Sequence, residues 1–159
     1  MNATDRVGIV LATAVISLDQ ATKWLVHQGM DLHQSVQIIP GLFNLTYVRN
    51  TGAAFGLLAS PSPGLRTTIL AAFSAIAIGI ILLVWVRSRF APGLFVCSLA
   101  LILGGAIGNL IDRIRLGEVI DFLDVYWRGH HWPAFNAADS AITIGVGLLI
   151  VHLLFHKAS

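Results

Sequence analysis

Two aspartates stand in settings that suit acid–base chemistry. Asp121 lies in Val119-Ile120-Asp121-Phe122-Leu123 and Asp139 in Phe135-Asn136-Ala137-Ala138-Asp139-Ser140, 18 positions later. Carboxylates that cannot both ionise share one proton, and their apparent pKa values split. The ionised member can take a proton from water while the protonated one polarises a carbonyl. That is peptide hydrolysis without a metal or a covalent intermediate. Asp139 alone has a plainer reading, an acid in the first turn of a helix that complements the macrodipole. Two acids at the same membrane face, each flanked by apolar residues, favour the catalytic reading.

Other chemistry-bearing residues read more quietly. Asp19 and Lys23 stand at i and i+4 on one helical face, the spacing of an internal ion pair that makes buried charge tolerable. Asn109, Asp112 and Arg113 share a face at i, i+3 and i+4, and read as a hydrogen-bond network bracing a site. Gly104 and Gly108 form a small-xxx-small pair that admits a neighbouring helix. A serine–lysine protease fails because Ser17 points away from Lys23 on the same helix. His152 and His156 have metal-like spacing but no acid beside them, and His130-His131 reads as an interfacial or solvated loop doublet. Cys97 has no neighbouring base and reads as packing. No metal and no cofactor is expected.

The elements that must position these groups are membrane spans. Of 159 residues, 56% are apolar and 11% charged, and the mean hydropathy is +0.79. Soluble domains carry about a quarter charged residues, so this surface does not face water all round. The net charge of +2 comes from scattered Arg rather than a basic patch, which gives nucleic-acid binding no support. One cysteine excludes an intramolecular disulfide and a Cys-rich metal site. A bilayer core needs roughly 20 apolar residues in a helix. Four stretches supply spans at about 7–26, 67–86, 92–111 and 137–155, within a single domain of residues 1–159. The first is followed by Asp19-Gln20-Ala21-Thr22-Lys23 rather than a cleavage site, and reads as a retained helix.

Four spans put both termini on one side. Arg6, Arg87, Arg89 and Lys157 mark that face, against Arg49, Arg66, Arg113, Arg115 and Arg128 on the other. The first set is concentrated in short segments, which makes that face cytoplasmic. The external loops then run from His27 to Arg66 and from Asp112 to about Asn136. Val36 to Val48, broken by Pro40-Gly41, reads as two short strands joined by a turn, and Val119 to Trp127 as a third. The expected fold is an α-helical membrane protein, four spans carrying a small external β-sheet built from the two loops. Tyr126, Trp127 and Trp132 suit the membrane interface.

In this setting the chain closely resembles the lipoprotein signal peptidase (signal peptidase II) family. The matching blocks are Asp19-Gln20-Ala21-Thr22-Lys23, Arg49-Asn50-Thr51-Gly52-Ala53-Ala54-Phe55, Gly104 through Arg113, Val119-Ile120-Asp121-Phe122, and Phe135-Asn136-Ala137-Ala138-Asp139-Ser140. They occur in the family's order and cover essentially the whole chain. The resemblance implies an aspartic endopeptidase of the bacterial cytoplasmic membrane with Asp121 and Asp139 as its dyad, near the outer leaflet. It implies that Asn50, Gly52, Asn109, Arg113 and Asn136 line or brace the site, with Asp19, Lys23 and Asp112 more structural. The implied substrate is a prolipoprotein bearing diacylglyceryl on its lipobox cysteine, cut just before that cysteine within membrane lipid. Globomycin-type peptides are the implied inhibitors. Asp124 is a rival for the dyad, but strand alternation puts residues 121 and 124 on opposite faces, and the family pattern selects Asp121. The alternative is a small ion-coupled transporter relaying a cation over Asp19, Asp121 and Asp139. Its acids gather at one face rather than along a path through all four spans.

Overall fold

The computed structural model describes residues 2–52, 62–88 and 92–155. Its long helices are α1 (Ala3–Gly29), α2 (Pro63–Arg87), α3 (Gly93–Leu116) and α4 (Ala137–Phe155). Each is long and apolar enough to cross a membrane, so the chain is a multi-pass membrane protein. The strands are β1 (Ser35–Ile39), β2 (Phe43–Asn50), β3 (Val119–Trp127) and β4 (His130–His131). Residues Ala53, Ala54 and Phe55 of the second motif block, together with Arg89, His156 and Lys157, lie outside the described residues.

Three helices outrun their expected spans, α2 by starting at Pro63, because hydropathy stops at the first charge whereas a helix stops where its backbone turns. α1 starts at Ala3 on a reciprocal cap between Asn2 and Asp5. α3 continues past Ile111 to Leu116 and ends at Gly117, whose φ of 78° permits the left-handed turn that returns its N–H to the Arg113 carbonyl. Asp112 and Arg113, expected at the start of a loop, therefore sit on the rigid last turns of α3.

α3 is the hub and packs against the other three helices. Small residues allow this. A Cβ at Gly104 would stand 2.8 Å from the Val15 side chain and 2.9 Å from the Ala12 carbonyl on α1. One at Gly105 would collide with the Ala138 carbonyl on α4, and one at Gly145 would lie 2.8 Å from the Ser98 carbonyl on α3. Gly108 shares that α1 seam, as expected of the pair, and what it admits there is charged: its Cβ would come within 2.5 Å of the Asp19 carboxylate of α1. α2 packs chiefly along α3 and buries none of its most apolar stretch, so its broad face meets lipid. At its far end the Trp85 indole N–H donates to Asp5 of α1 at 3.1 Å.

The strands form one antiparallel sheet in the order β1-β2-β3-β4. β1 and β2 join across the expected Pro40-Gly41 turn, with Gly41 at φ 77°. A bulge in β2 between Leu45 and Val48 resets the register, so that Val48 opposes Asp121 and Asn50 opposes Val119. Val26, Tyr47, Ile120 and Phe122 pack the sheet onto the end of α1. His130 and His131, expected as an interfacial or solvated doublet, are exposed and in addition pair with the end of β3. The His131 ring stacks on Tyr126 and its Nδ1 lies 2.8 Å from Asp124. The alternating pattern could not show this, since two residues are too few to display a period.

The α3–α4 contact yields a stability test. Gly105→Leu inserts a side chain where backbone carbonyl already stands, and is expected to cost about 1–3 kcal/mol by overpacking. Gly147→Ala, with nothing within 4 Å of the new atom, is expected to match the parent in folded yield and thermal midpoint in detergent. Equal stability for both variants would mean that α3 and α4 do not approach at Gly105.

Candidate active site

Asp121 stands on β3, where the ladder with β2 fixes its direction, and it is only 2% exposed. Asp139 sits in the first turn of α4. The link between them is Asn136, the residue that caps α4. Its Oδ1 accepts the Asp139 backbone N–H at 2.9 Å, and the Asp139 carboxylate accepts the Asn136 backbone N–H at 3.3 Å. This is a capping box with Asp as its acidic member. Because the amide oxygen is committed to the cap, the NH2 end faces away from the helix. It donates to Asp121 Oδ1 at 2.7 Å, with the Ile120 carbonyl and Asn109 Oδ1 each at 3.2 Å.

The second oxygen of Asp121 accepts from Asn50 Nδ2 at 2.9 Å. Asn50 is held in turn, since its Oδ1 accepts the Gly52 N–H at 2.8 Å. That side-chain turn needs a left-handed residue, and Gly52 supplies it at φ 73°. A Cβ there would also run into the Leu70 side chain. Asp139 Oδ1 accepts from Asn109 Nδ2 at 2.8 Å. Arg113 donates to Ser74 of α2 and to the Asn109 carbonyl, each at 3.3 Å, and is near enough to Asp139, Asp112 and Asp121 to interact electrostatically.

Beneath these groups the expected Asp19–Lys23 pair is present, at 2.8 Å, with a third member. Lys23 also reaches Asp112 at 2.9 Å and donates to Asn109 Oδ1 at 2.9 Å. Each carboxylate then holds backbone. Asp19 accepts the N–H of Ala138 at 2.9 Å, and Asp112 that of Ile120 at 3.2 Å. These are the residues immediately before Asp139 and Asp121. Gln20, given no role from the sequence, bridges Asp112 at 3.0 Å, the Gly108 carbonyl at 3.2 Å and Asp19 at 3.3 Å. A polar residue beside Asp19 inside a span was the available signal. Ser74, also unmarked, lies in an otherwise apolar span with nothing to distinguish it from packing.

Asp124 points elsewhere, as alternation requires. It accepts from Asn44 Nδ2 at 2.8 Å and pairs with His131. Asp121 and Asp139 therefore stand together with Asn50, Asn109, Asn136 and Arg113 around them, while Asp124 serves the sheet. Among the described residues no group of three or more His, Cys, Asp or Glu is placed to hold a metal ion.

Burial pushes the Asp121 carboxyl up to about 6, the hydrogen bond from Asn50 opposes that rise, and the charge of Asp139 adds to it. Asp121 therefore takes up a proton at a higher pH than an ordinary carboxyl does. A cavity of about 370 Å³ bounded by Trp132, Phe135, Asp139, Ser140, Thr143 and Ile144 opens on the second acid and continues along the α4 surface. The arrangement can hold a proton on one carboxyl and keep a neighbouring carboxylate open to a ligand arriving from the apolar side.

Comparison with known proteins gives a consistent result. The family described as signal peptidase (SPase) II matches residues 11–155. A lipoprotein signal peptidase of Geobacter sulfurreducens is 52% identical over 154 residues, which span 97% of this chain and 95% of that protein. One from Syntrophotalea carbinolica is 45% identical over 148 residues, 92% of this chain and 89% of that protein. A bacterial membrane enzyme solved by the in meso method at 1.9 Å resolution superposes with a TM-score of 0.84 at 34% identity, covering 95% of this chain and 94% of that one.

The carboxyl of Asp121 provides a titration test. A difference infrared spectrum against Asp121→Asn is expected to place its midpoint near pH 6, as its environment dictates. Asn50→Ala removes a donor that favours the ionised form, so the midpoint is expected to move to higher pH. A midpoint near 4, the ordinary carboxylate range, would show that Asp121 is well solvated.

Proposed function

The chain belongs to the signal peptidase (SPase) II family, and from that membership we propose that Asp121 and Asp139 are its catalytic dyad. It is a multi-pass membrane aspartic endopeptidase, and its reaction is removal of signal peptides from prolipoproteins. The observation that carries the dyad reading is the Asn136 bridge, which ties both carboxyls to one residue. Asp121, the acid that holds a proton, donates to the scissile carbonyl oxygen. Asp139 accepts a proton from water as the water oxygen bonds to the carbonyl carbon. That proton passes to the leaving nitrogen as the C–N bond breaks, while Asp121 takes a proton back from a hydroxyl of the tetrahedral intermediate, leaving the carboxyl product and a protonated Asp121. Asn50, Gly52, Asn109, Asn136 and Arg113 brace the two carboxyls and the substrate.

The substrate reading is a prolipoprotein with diacylglyceryl on its lipobox cysteine, cut just before that cysteine. Two features support it: the cavity that continues from Asp139 along α4, and the lipid-facing surface of α2. A chain pair left in the bilayer holds the substrate at about 0.8 kcal/mol per buried CH₂. Globomycin-type peptides are read as occupants of the same cleft. Both termini are read as cytoplasmic, with the dyad near the outer leaflet of the inner membrane. Asp19, Asp121 and Asp139 meet at one end of the bundle, which suits hydrolysis rather than a cation path.

Cleavage of a diacylglyceryl-modified lipobox peptide by purified protein tests the dyad and the substrate together. Asp121→Asn and Asp139→Asn are each expected to lose roughly 10³-fold or more in turnover, and the double variant little further. Asp124→Asn keeps most activity, and the unlipidated peptide is a very poor substrate. Near-parental turnover by either dyad variant removes the aspartic mechanism, and equal cleavage of both peptides removes the lipid requirement. Orientation has its own assay: reporters fused after Arg87 and within residues 128–131 are expected to read cytoplasmic and extracytoplasmic. A swapped pair inverts the topology.

A further inference from the structure

Lys23 makes one contact that an ion pair does not require. An ammonium has three protons; two are directed at Asp19 and Asp112, and the third goes to the neutral amide of Asn109. That amide stands between the buried charges and the dyad. Its oxygen accepts from Lys23 at 2.9 Å and from Asn136 at 3.2 Å, while its nitrogen donates to Asp139 at 2.8 Å.

An asparagine amide turned by half a revolution presents an acceptor where it had a donor. Facing an ammonium it has no such freedom, because the ammonium can only donate. We propose that Lys23 is a positioning residue for catalysis: it locks the Asn109 amide so that an N–H always faces Asp139, which keeps Asp139 the ionised, water-activating member of the dyad. The proposal rests on the dyad reading above. Were the amide reversed, its oxygen would face Asp139, and only a protonated Asp139 could satisfy that contact.

The other groups around Asp139 fit this assignment. From β3 comes Asp121, whose burial suits it to hold the shared proton. From α3 come Arg113 and Asp112, and from α1 Asp19 and Lys23, with Asp112 and Asp19 facing Lys23 directly. The Asn136 amide is fixed in the complementary sense, oxygen on the Asp139 backbone and NH2 on Asp121. Both amides thus have one orientation, and the one at Asn109 is set by its shorter bond from Lys23, which touches neither acid, together with the bond from Asn136.

Lys23→Met alone would strand two buried carboxylates, so the net charge of the cluster is kept in Lys23→Met/Asp112→Asn, which leaves only Asp19 unpaired and in which the new side-chain amide can still accept from the Ile120 N–H. A second variant, Asn109→Asp, keeps an acceptor for Lys23 and replaces the donor to Asp139 with another acceptor. On the lipidated peptide both are expected to lose about 10-fold or more in kcat near neutral pH, with KM within about twofold, and to move the acid limb of kcat upward by about one pH unit. In an Asn109→Ala background the Lys23 and Asp112 changes are expected to add no further shift of that limb. A parental pH profile in Asn109→Asp overturns the proposal, even if the Lys23 variant does not fold. A Lys23 effect that persists undiminished in Asn109→Ala also overturns it. The dyad variants separate the two readings: if Asp121→Asn or Asp139→Asn stays active the dyad itself falls, and if both are inactive while the limb stays fixed only the lock falls.

Discussion

Everything near the sheet end of the bundle hangs on one ammonium held between two carboxylates. Lys23 is 2% exposed and Asp19 fully buried, so neither charge is tolerable there without the other. Such a cluster gains little over a well-packed apolar core of the same volume. What it supplies is position. The remaining capacity of Asp19 and Asp112 goes to the N–H groups of Ala138 and Ile120. A helix and a strand from distant parts of the chain are thereby fixed to the same charged centre, each one residue ahead of an aspartate.

That centre exists only because the helices approach closely. Gly104 and Gly105 bring α1 and α4 against α3, and Gly108 leaves the space that the Asp19 carboxylate fills. Backbone contact and charge placement are therefore one requirement: a wider bundle would separate Lys23 from Asp112 and let water in between. The sheet adds the second constraint. Its β2 bulge sets Val48 opposite Asp121, and the side-chain turn at Asn50–Gly52 completes the donors around that acid.

Much of this was legible in the residues. The four apolar runs, the Asp19–Lys23 spacing, the Pro40-Gly41 turn and the alternation separating Asp121 from Asp124 each rest on a local period or on a cost met within one element. What escaped depended on contacts between elements. The true end of α3 is set by Gly117 rather than by hydropathy, so the span is expected to stop at 111 even though Asn109, Asp112 and Arg113 already share a helical face. Gln20 looked like an ordinary polar neighbour until α3 was placed beside it. That the seam of Gly104 and Gly108 admits the Asp19 carboxylate needs the position of α1, which no helical period supplies. Nor does any pattern within β3 reveal that Asp124 is occupied by Asn44 and His131.

The lopsided attachment of α2 has a mechanical consequence. It packs along α3, meets Asp5 through Trp85 at one end, and meets Arg113 through Ser74 toward the other, while its apolar face is left to lipid. A helix held this way changes tilt more cheaply than its neighbours when the hydrocarbon thickness changes. The contacts that register such a tilt at the sheet end are Ser74 to Arg113, the guanidinium closest in function to both acids, and Thr67 to the Gly117 carbonyl that closes α3. Bilayer thickness thereby becomes a variable of the site's electrostatics, transmitted through these two hydroxyls.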